Sequence, residues 1–307
     1  MSVDPKNPSL HQSAQKIGIP FTKCWNPIDR HIDVNGLNLH YLEWGDAAKP
    51  TVVLLHGFAQ SAHSFDFVSL SLADRFHVLA LDFRGHGESD WSSNEDYTRE
   101  SMQKDLEGFV IKTNSAPVII IGLSLGGTIG YKYTAANQKI VRGLVIIDVA
   151  PRLQESGVQR VRKFVENKDY FDSIEEMVLA VQIFRPDRTK EQLVASVMRN
   201  AKQHADGRWS WKYDPVLKRQ NSRYQQTAED RIQLWKALET ITCPTLFVRG
   251  SKSDVVSAET AHELVSRMQN AAQVTVNHAG HLVTTDNPIG FIESIEPFLQ
   301  TLVDSEN

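Results

Sequence analysis

Short apolar segments recur along the chain, and most of them are continuously apolar rather than alternating. A continuously apolar strand is typical of a parallel sheet, because helices cover both of its faces. The intervals between the segments are long enough for crossover helices, which favours an α/β fold over a β-sandwich. The predicted strands are TVVLL (51–55), FHVLALD (76–82), PVIII (117–121), GLVIID (143–148), PTLFV (244–248) and AQVTVN (272–277).

The N-terminal part of the chain differs from this pattern. Residues 1–30 are polar and rich in proline, which is typical of an irregular arm that covers the domain or stays loose. The following segment, 29–45, has alternating apolar positions around Asn35-Gly36. Asn-Gly suits the tight turn of a two-residue β-hairpin, so a hairpin is predicted here.

One long interval contains no strand-like run. Residues 151–238 are dominated by charged segments with high helix propensity, and the strand pattern resumes at Cys243. A structureless loop of this length is improbable inside a compact domain. We therefore expect an N-terminal arm at 1–30, an α/β core at 31–150 and 239–307, and a mostly helical cap at 151–238.

Composition and charge exclude several classes of partner. The chain has 41% hydrophobic and 23% charged residues, which is ordinary for a globular protein. Its net charge is −4 and it has no basic block, which argues against nucleic-acid binding and against a polybasic membrane contact. The expected partner is a small-molecule substrate, and no oligomeric state is predicted.

The number of cysteines and the lengths of the apolar segments predict a protein of a reduced compartment. Cys24 and Cys243 are too few for a disulfide framework and lack metal-ligand spacing, although a single bridge between them stays open. Residues 1–16 have no apolar signal-peptide core, and the most apolar stretch, 118–131, is shorter than the ~20 residues of a membrane span. A cytoplasmic protein without a metal or an organic cofactor is expected.

The motif GLSLGG (122–127) carries the first candidate for chemistry. GxSxG alone is a weak signal, but here it directly follows a predicted buried strand and precedes the helix-like TIGYKYTAAN. Glycines two residues on either side of Ser124 allow the sharp turn that raises a serine oxygen above the sheet. This order of strand, turn and helix predicts that Ser124 is a nucleophile.

A nucleophilic serine needs a base and a group that orients the base. His281 follows the last predicted strand in a loop of small residues and is the preferred base, while His278 lies at the strand end and is expected to be structural. Asp254, in the loop after PTLFV, is the preferred acid. Asp148, at the end of GLVIID, is the alternative, and both satisfy the order serine, acid, histidine.

Acyl transfer also requires hydrogen-bond donors for the oxyanion that develops in the transition state. The segment His56-Gly57-Phe58 follows the strand TVVLL, and its glycine allows the Phe58 N–H to point into the site. The Leu125 N–H, directly after the nucleophile, is the second expected donor. His56 itself is expected to be a structural, hydrogen-bonded histidine.

At this point the sequence resembles the α/β-hydrolase superfamily, in its capped branch of ester, lactone and carbon–carbon bond hydrolases. The resemblance covers roughly residues 30–300. The matching motifs, in family order, are LLHGF (54–58), LDFRGHGESD (81–90), GLSLGG (122–127), RGSKSD (249–254) and AGHLVTTDNP (279–288).

The resemblance implies an α/β-hydrolase fold, a mostly parallel doubly wound sheet with a helical cap insertion. It also implies that Ser124, Asp254 and His281 form the triad, with Phe58 and Leu125 as the oxyanion donors. Haloalkane dehalogenases and epoxide hydrolases of this fold have aspartate at the elbow, so the serine argues against their chemistry.

The substrate pocket is the least determined part of the site. Gln60 and Leu123 are candidates to line it because they neighbour the expected oxyanion donor and the nucleophile. Trp209 and Trp211, in WSWKYDP, are further candidates, although residues that alternate in this way more often pack within the cap than line a pocket.

The sequence thus predicts a serine hydrolase that acts on an ester, a lactone or a related carbonyl compound through an acyl-enzyme. Two other functions stay open on the same scaffold. One is a cofactor-free lyase or oxygenase in which the histidine acts without the serine, and the other is a ligand receptor with slow turnover.

Overall fold

The computed structural model describes residues 9–166, 168–185, 188–223 and 226–304 of the 307-residue chain. Ten strands occur within these ranges. They are β1 (Ile28–Val34), β2 (Leu37–Trp44), β3 (Thr51–Leu55), β4 (His77–Leu81), β5 (Val118–Leu123), β6 (Val141–Ile147), β7 (Ala201–Gln203), β8 (Trp209–Trp211), β9 (Thr245–Gly250) and β10 (Ala271–Val276).

The same ranges contain twelve α-helices and a short 3-10 helix at Ala62–Phe65. None of these helices is both long enough and apolar enough to cross a membrane. The α-helices are α1 (Leu10–Ile17), α2 (Asp66–Leu72), α3 (Arg99–Lys112), α4 (Leu125–Ala136), α5 (Glu155–Val165), α6 (Ile174–Phe184), α7 (Lys190–Asn200), α8 (Pro215–Arg223), α9 (Ala228–Thr240), α10 (Ala258–Arg267), α11 (Val283–Asp286) and α12 (Pro288–Asp304).

Eight strands form one sheet in the order β1-β2-β4-β3-β5-β6-β9-β10. β2 pairs antiparallel with both β1 and β4, and all other pairs in this sheet are parallel. Each of the six apolar runs forms one of these strands, and the mostly parallel α/β architecture is confirmed. The predicted hairpin is also present, since Asn35 and Gly36 link β1 to β2 with φ angles of 51° and 80°.

Helices cover both faces of the sheet, as the continuous apolarity predicts. Successive side chains of a strand point to opposite faces. Along β3, Val53 and Leu55 accordingly pack with α3, α4, α9 and α10, whereas Val52 and Leu54 pack with α1, α2 and α12. Every residue of β3 is buried, so this strand lies at the centre of the core.

The segment after β6 is mostly helical, but it also contains strands that the sequence pattern did not predict. Helices α5 to α8 are interrupted by an antiparallel hairpin of β7 and β8, in which Trp209 pairs with Gln203. A separate apolar cluster around Phe171 and Met177 supports this region. The expected boundary at 238 falls inside α9, whose Trp235 packs with the core helix α4.

The expectation of an irregular N-terminal arm is wrong for α1. Ser9 caps this helix by accepting a hydrogen bond from the Gln12 N–H, and Gly18 ends it with a φ of 82°. Ala14 is fully buried against the sheet-covering helices. Pro20 and Pro27 follow this helix and do not interrupt it, while residues 1–8 lie outside the described residues.

The turn between β5 and α4 depends on a very close approach of α4 to β3. A β-carbon built on Gly126 would lie 2.1 Å from the Leu55 carbonyl oxygen and 2.7 Å from that of His56. These are backbone atoms that cannot move aside. A β-carbon on Gly130, in the same helix, would meet side-chain methyl groups rather than backbone, the nearest being Ile120 Cγ2 at 3.0 Å.

We expect Gly126→Ala to lower the free energy of unfolding by about 2–3 kcal/mol, because the added methyl group forces α4 away from β3. Gly130→Ala is the matched control. It should change stability by less than about 1 kcal/mol, since a small packing cost is offset by higher helix propensity. Guanidinium chloride unfolding measures both, and equal midpoints for the two variants would contradict the proposed close contact.

Candidate active site

Ser124 occupies the tight turn between β5 and α4 in a strained backbone conformation. Its φ and ψ angles are 54° and −112°, a combination that costs a non-glycine residue free energy and that clusters at functional sites. The turn is held by a hydrogen bond from the Ser124 N–H to Ile147 O at 3.0 Å. The side chain therefore projects at the carboxyl edge of the sheet.

His281 lies between Ser124 and a buried carboxylate. Its Nε2 is 3.1 Å from Ser124 Oγ, and its Nδ1 is 2.8 Å from Asp148 Oδ2. His281 is 6% exposed and Asp148 is fully buried. A serine, an imidazole and a carboxylate linked in this way can move the serine proton onto the imidazole while the carboxylate stabilises the resulting charge.

The Asp148 carboxylate has several hydrogen-bond donors besides the histidine. The Ser253 hydroxyl donates to Oδ2 at 2.6 Å, and the Gly250 N–H donates to Oδ1 at 3.3 Å. The backbone of Asp148 has a φ of 49°, and its N–H donates to Val248 O at 2.8 Å. In this left-handed conformation the side chain contacts Ser253 in the loop after β9 and His281 in the loop after β10.

The structure does not bring Asp254 to His281, which corrects the preferred assignment from sequence. Both Asp254 carboxylate oxygens accept hydrogen bonds from the Arg160 guanidinium on α5, each at 2.6 Å. This guanidinium holds the pKa of Asp254 below its ordinary value. The chain after β9 turns outward to meet α5, so the alternative acid, Asp148, occupies the place next to the imidazole.

The two expected oxyanion donors lie on either side of the nucleophile turn. Within the part of the chain that the structure describes, no acceptor is recorded for the N–H of Phe58 or of Leu125. The next amide, that of Gly126, donates to His56 O at 3.1 Å and so fixes the start of α4 against the loop after β3.

Gln60 has a role that the sequence did not indicate. Its Oε1 accepts a hydrogen bond from the Gly57 N–H at 2.9 Å, and its own N–H donates to Gly57 O at 3.3 Å. A β-carbon on Gly57 would lie 3.5 Å from Ser124 Cβ, so this loop packs directly against the nucleophile. Gln60 therefore fixes the backbone that presents the Phe58 amide.

His56 is held as a structural residue, as expected. Its Nδ1 is 2.7 Å from Gly57 O, and its Nε2 accepts a hydrogen bond from the Phe83 N–H at 3.1 Å. These partners require the neutral Nδ1–H tautomer. Complete burial lowers the pKa of His56, and burial lowers the pKa of the adjacent His86 to about 3.

The other predicted site residues have different surroundings. Leu123, the last residue of β5, is fully buried and packs in the apolar cluster on the face of the sheet that α1, α2 and α12 cover. Trp209 pairs with Phe171, and the Trp211 ring meets the Phe171 ring edge-on at 6.0 Å between centroids. Trp211 also packs against the main core cluster. His278 is exposed and donates its backbone N–H to Ser251 Oγ.

Metal ligands and disulfides do not occur among the described residues. No group of three histidine, cysteine or acidic side chains in the described ranges could hold a metal ion. Cys24 is exposed and Cys243 is half-buried, and both are free thiols, so the open alternative of a bridge between them is not realised.

Comparisons with known proteins identify the family to which the chain is similar. The family model for the alpha/beta hydrolase fold matches residues 50–288. A 3-hydroxybutyrate-oligomer hydrolase of Cupriavidus necator is 30% identical over 87% of this chain and 93% of its own length. An esterase of Mycobacterium tuberculosis is 28% identical over 85% of this chain and 86% of its own.

A solved structure extends the similarity to three dimensions. The crystal structure of an alpha/beta hydrolase from Novosphingobium aromaticivorans superposes with a TM-score of 0.79 at 29% identity, covering 89% of this chain and 98% of that one. The chain therefore belongs to the alpha/beta hydrolase fold family and is a hydrolytic enzyme.

Proposed function

We propose that the protein is a serine hydrolase that cleaves carboxylic esters of small molecules through an acyl-enzyme on Ser124. The observation that carries this proposal is the continuous chain of contacts from Asp148 through His281 to Ser124. It lies next to two backbone amides, of Phe58 and Leu125, without recorded acceptors among the described residues. A nucleophile, a base, an orienting acid and oxyanion donors together are the requirements of acyl transfer.

The reaction begins when His281 Nε2 takes the proton of Ser124 Oγ and this oxygen attacks the substrate carbonyl. The negative charge that develops on the carbonyl oxygen is stabilised by the N–H groups of Phe58 and Leu125. His281 then gives its proton to the leaving alcohol, which leaves an acyl group on Ser124. A water molecule, activated by the same histidine, hydrolyses this ester and restores the serine.

The Asp148 carboxylate holds the His281 imidazole in the tautomer that these reaction steps need. By accepting a hydrogen bond from Nδ1–H, it leaves Nε2 free to receive the serine proton, and it stabilises the positive charge that follows. Asp254, bound by Arg160, takes no part in the reaction in this proposal.

The substrate class follows from the relatives and from the cap region. The two relatives described above are named as a 3-hydroxybutyrate-oligomer hydrolase and an esterase. Short hydroxyacyl esters and simple aliphatic esters are therefore the first compounds to test. We propose that α5 to α8, with the β7–β8 hairpin, form a cap over the carboxyl edge of the sheet and limit the size of the acyl group.

Replacing Ser124 by Ala should lower kcat more than about 1,000-fold on any ester that the wild-type enzyme turns over. A fluorophosphonate should label the wild-type protein at Ser124, detected as an added mass on the peptide that contains it. Hydrolysis of 3-hydroxybutyrate dimers and of p-nitrophenyl esters provides the assay. Near-full activity of the alanine variant would indicate histidine-only chemistry and would refute the acyl-enzyme.

The acid is tested by exchanging each carboxylate for its amide. Asp148→Asn should reduce kcat roughly 1,000- to 10,000-fold, because an asparagine no longer stabilises the protonated imidazole. Asp254→Asn should change kcat less than about 3-fold, since it removes a partly exposed ion pair. Thermal melts verify that both variants fold. A larger loss of kcat in Asp254→Asn than in Asp148→Asn would show that Asp254 is the acid and would contradict the proposal.

Gln60 is tested by keeping or removing its acceptor oxygen. Gln60→Leu should lower kcat about 10-fold with little change in KM, because the Gly57 N–H loses its partner and the Phe58 donor shifts from its position. Gln60→Glu keeps an acceptor of the same length and should retain most of the wild-type kcat. An unchanged kcat for the leucine variant would show that the oxyanion loop does not depend on this side chain.

A further inference from the structure

The Ser253 hydroxyl makes a short hydrogen bond to the carboxylate that the proposed mechanism uses. It donates to Asp148 Oδ2 at 2.6 Å, which is the same oxygen that lies 2.8 Å from His281 Nδ1. Ser253 is 8% exposed, so solvent competes little for this contact. The carboxylate oxygen next to the imidazole is therefore shared between two donors.

The surroundings of Ser253 determine the direction of its single proton. A hydroxyl has one donor hydrogen and two acceptor positions. The Val255 and Val256 N–H groups both donate to Ser253 Oγ at 3.2 Å, which fills the acceptor positions. The remaining hydrogen points at Asp148, so the hydroxyl acts as a donor toward the carboxylate.

The backbone of the same loop is fixed independently. The Ser253 N–H donates to Gly250 O at 3.0 Å. The Arg249 guanidinium donates to Val256 O at 2.8 Å and to Ser253 O at 3.4 Å. The serine is therefore presented by a rigid turn rather than by a mobile segment.

We infer that Ser253 is a positioning residue that fixes the Asp148 carboxylate against His281 and withdraws part of its negative charge. This inference rests on the proposed triad of Ser124, His281 and Asp148. Because Ser253 and His281 bind one oxygen, a hydrogen bond to the serine weakens the hold of that oxygen on the imidazole proton. Ser253 thereby sets how strongly the Asp148 carboxylate stabilises the protonated imidazole of His281.

The charged groups near Asp148 stay the same when only the serine is changed. They include His281 in the loop after β10, Arg160 on α5, and Asp254, to which Arg160 is bound. Asp286 on α11 is also close, since its carboxylate accepts the N–H of Gly280, next to His281, and pairs with Arg185 and Arg188. None of these groups makes a recorded hydrogen bond to the Ser253 hydroxyl. A change of the serine therefore isolates the effect of one donor on the carboxylate.

The test is the pH profile of kcat/KM for Ser253→Ala with an ester that the wild-type enzyme hydrolyses. The acid limb should move to higher pH by about half a unit, because Asp148 then stabilises the protonated, inactive imidazole more strongly. At its optimum pH, kcat should fall roughly 10-fold with KM nearly unchanged, since the carboxylate also loses part of its fixed position. Ser253→Thr keeps the hydroxyl and should restore the wild-type limb.

Ser251→Ala is the matched control, because Ser251 lies in the same loop and its hydroxyl oxygen accepts only the His278 N–H in the recorded contacts. Its profile should coincide with that of the wild type. A Ser253→Ala enzyme with an unmoved acid limb would overturn the inference, even if its melting temperature or rate had fallen, because a merely structural serine gives that result. If Ser124→Ala and Asp148→Asn were also active, the triad itself would fail, and this inference with it.

Discussion

The parallel pairing of β5, β6 and β9 determines where the reactive groups meet. Ser124 follows β5, Asp148 follows β6, and the turn with Ser253 follows β9. Neighbouring strands lie about 4.8 Å apart, so the carboxyl ends of three adjacent parallel strands deliver their side chains to one small region. His281 arrives from the loop after β10, at the edge of the same sheet. The chemistry depends on strand order more than on the reach of any side chain.

The parts of the fold that sequence could predict are those with a strong local signal. Buried strands were visible as apolar runs, the hairpin as Asn35-Gly36, and the nucleophile turn as glycines around Ser124. His281, the expected base, follows a strand in a loop of small residues, and the structure places its Nε2 3.1 Å from Ser124 Oγ. In each case the residues that carry the signal lie within about ten positions of one another, so no knowledge of distant contacts was needed.

The carboxylate that lies next to His281 could not be identified in this way, because Asp148 and Asp254 satisfied the same rule of chain order. The choice depends on two non-local facts, which are that β6 pairs with both β5 and β9 and that Arg160 binds Asp254. The positive φ of Asp148 has no sequence signature of its own. The β7–β8 hairpin was missed for a similar reason, since strands of three residues gain their stability from contacts with Phe171 rather than from a pattern.

A fully buried carboxylate requires several donors. At Asp148, one of these donors lies in a turn that also contacts α5. Desolvation of an unpaired ion costs several kcal/mol, which the bonds from His281, Ser253 and Gly250 offset at Asp148. The turn that carries Ser253 is also the docking site of α5: the Gln154 N–H, just before this helix, donates to Val255 O at 2.8 Å. A β-carbon on Gly157 would lie only 2.3 Å from Asp254 O, so the helix rests on this turn with no room between them. The turn is therefore held from both sides, by Asp148 and by α5.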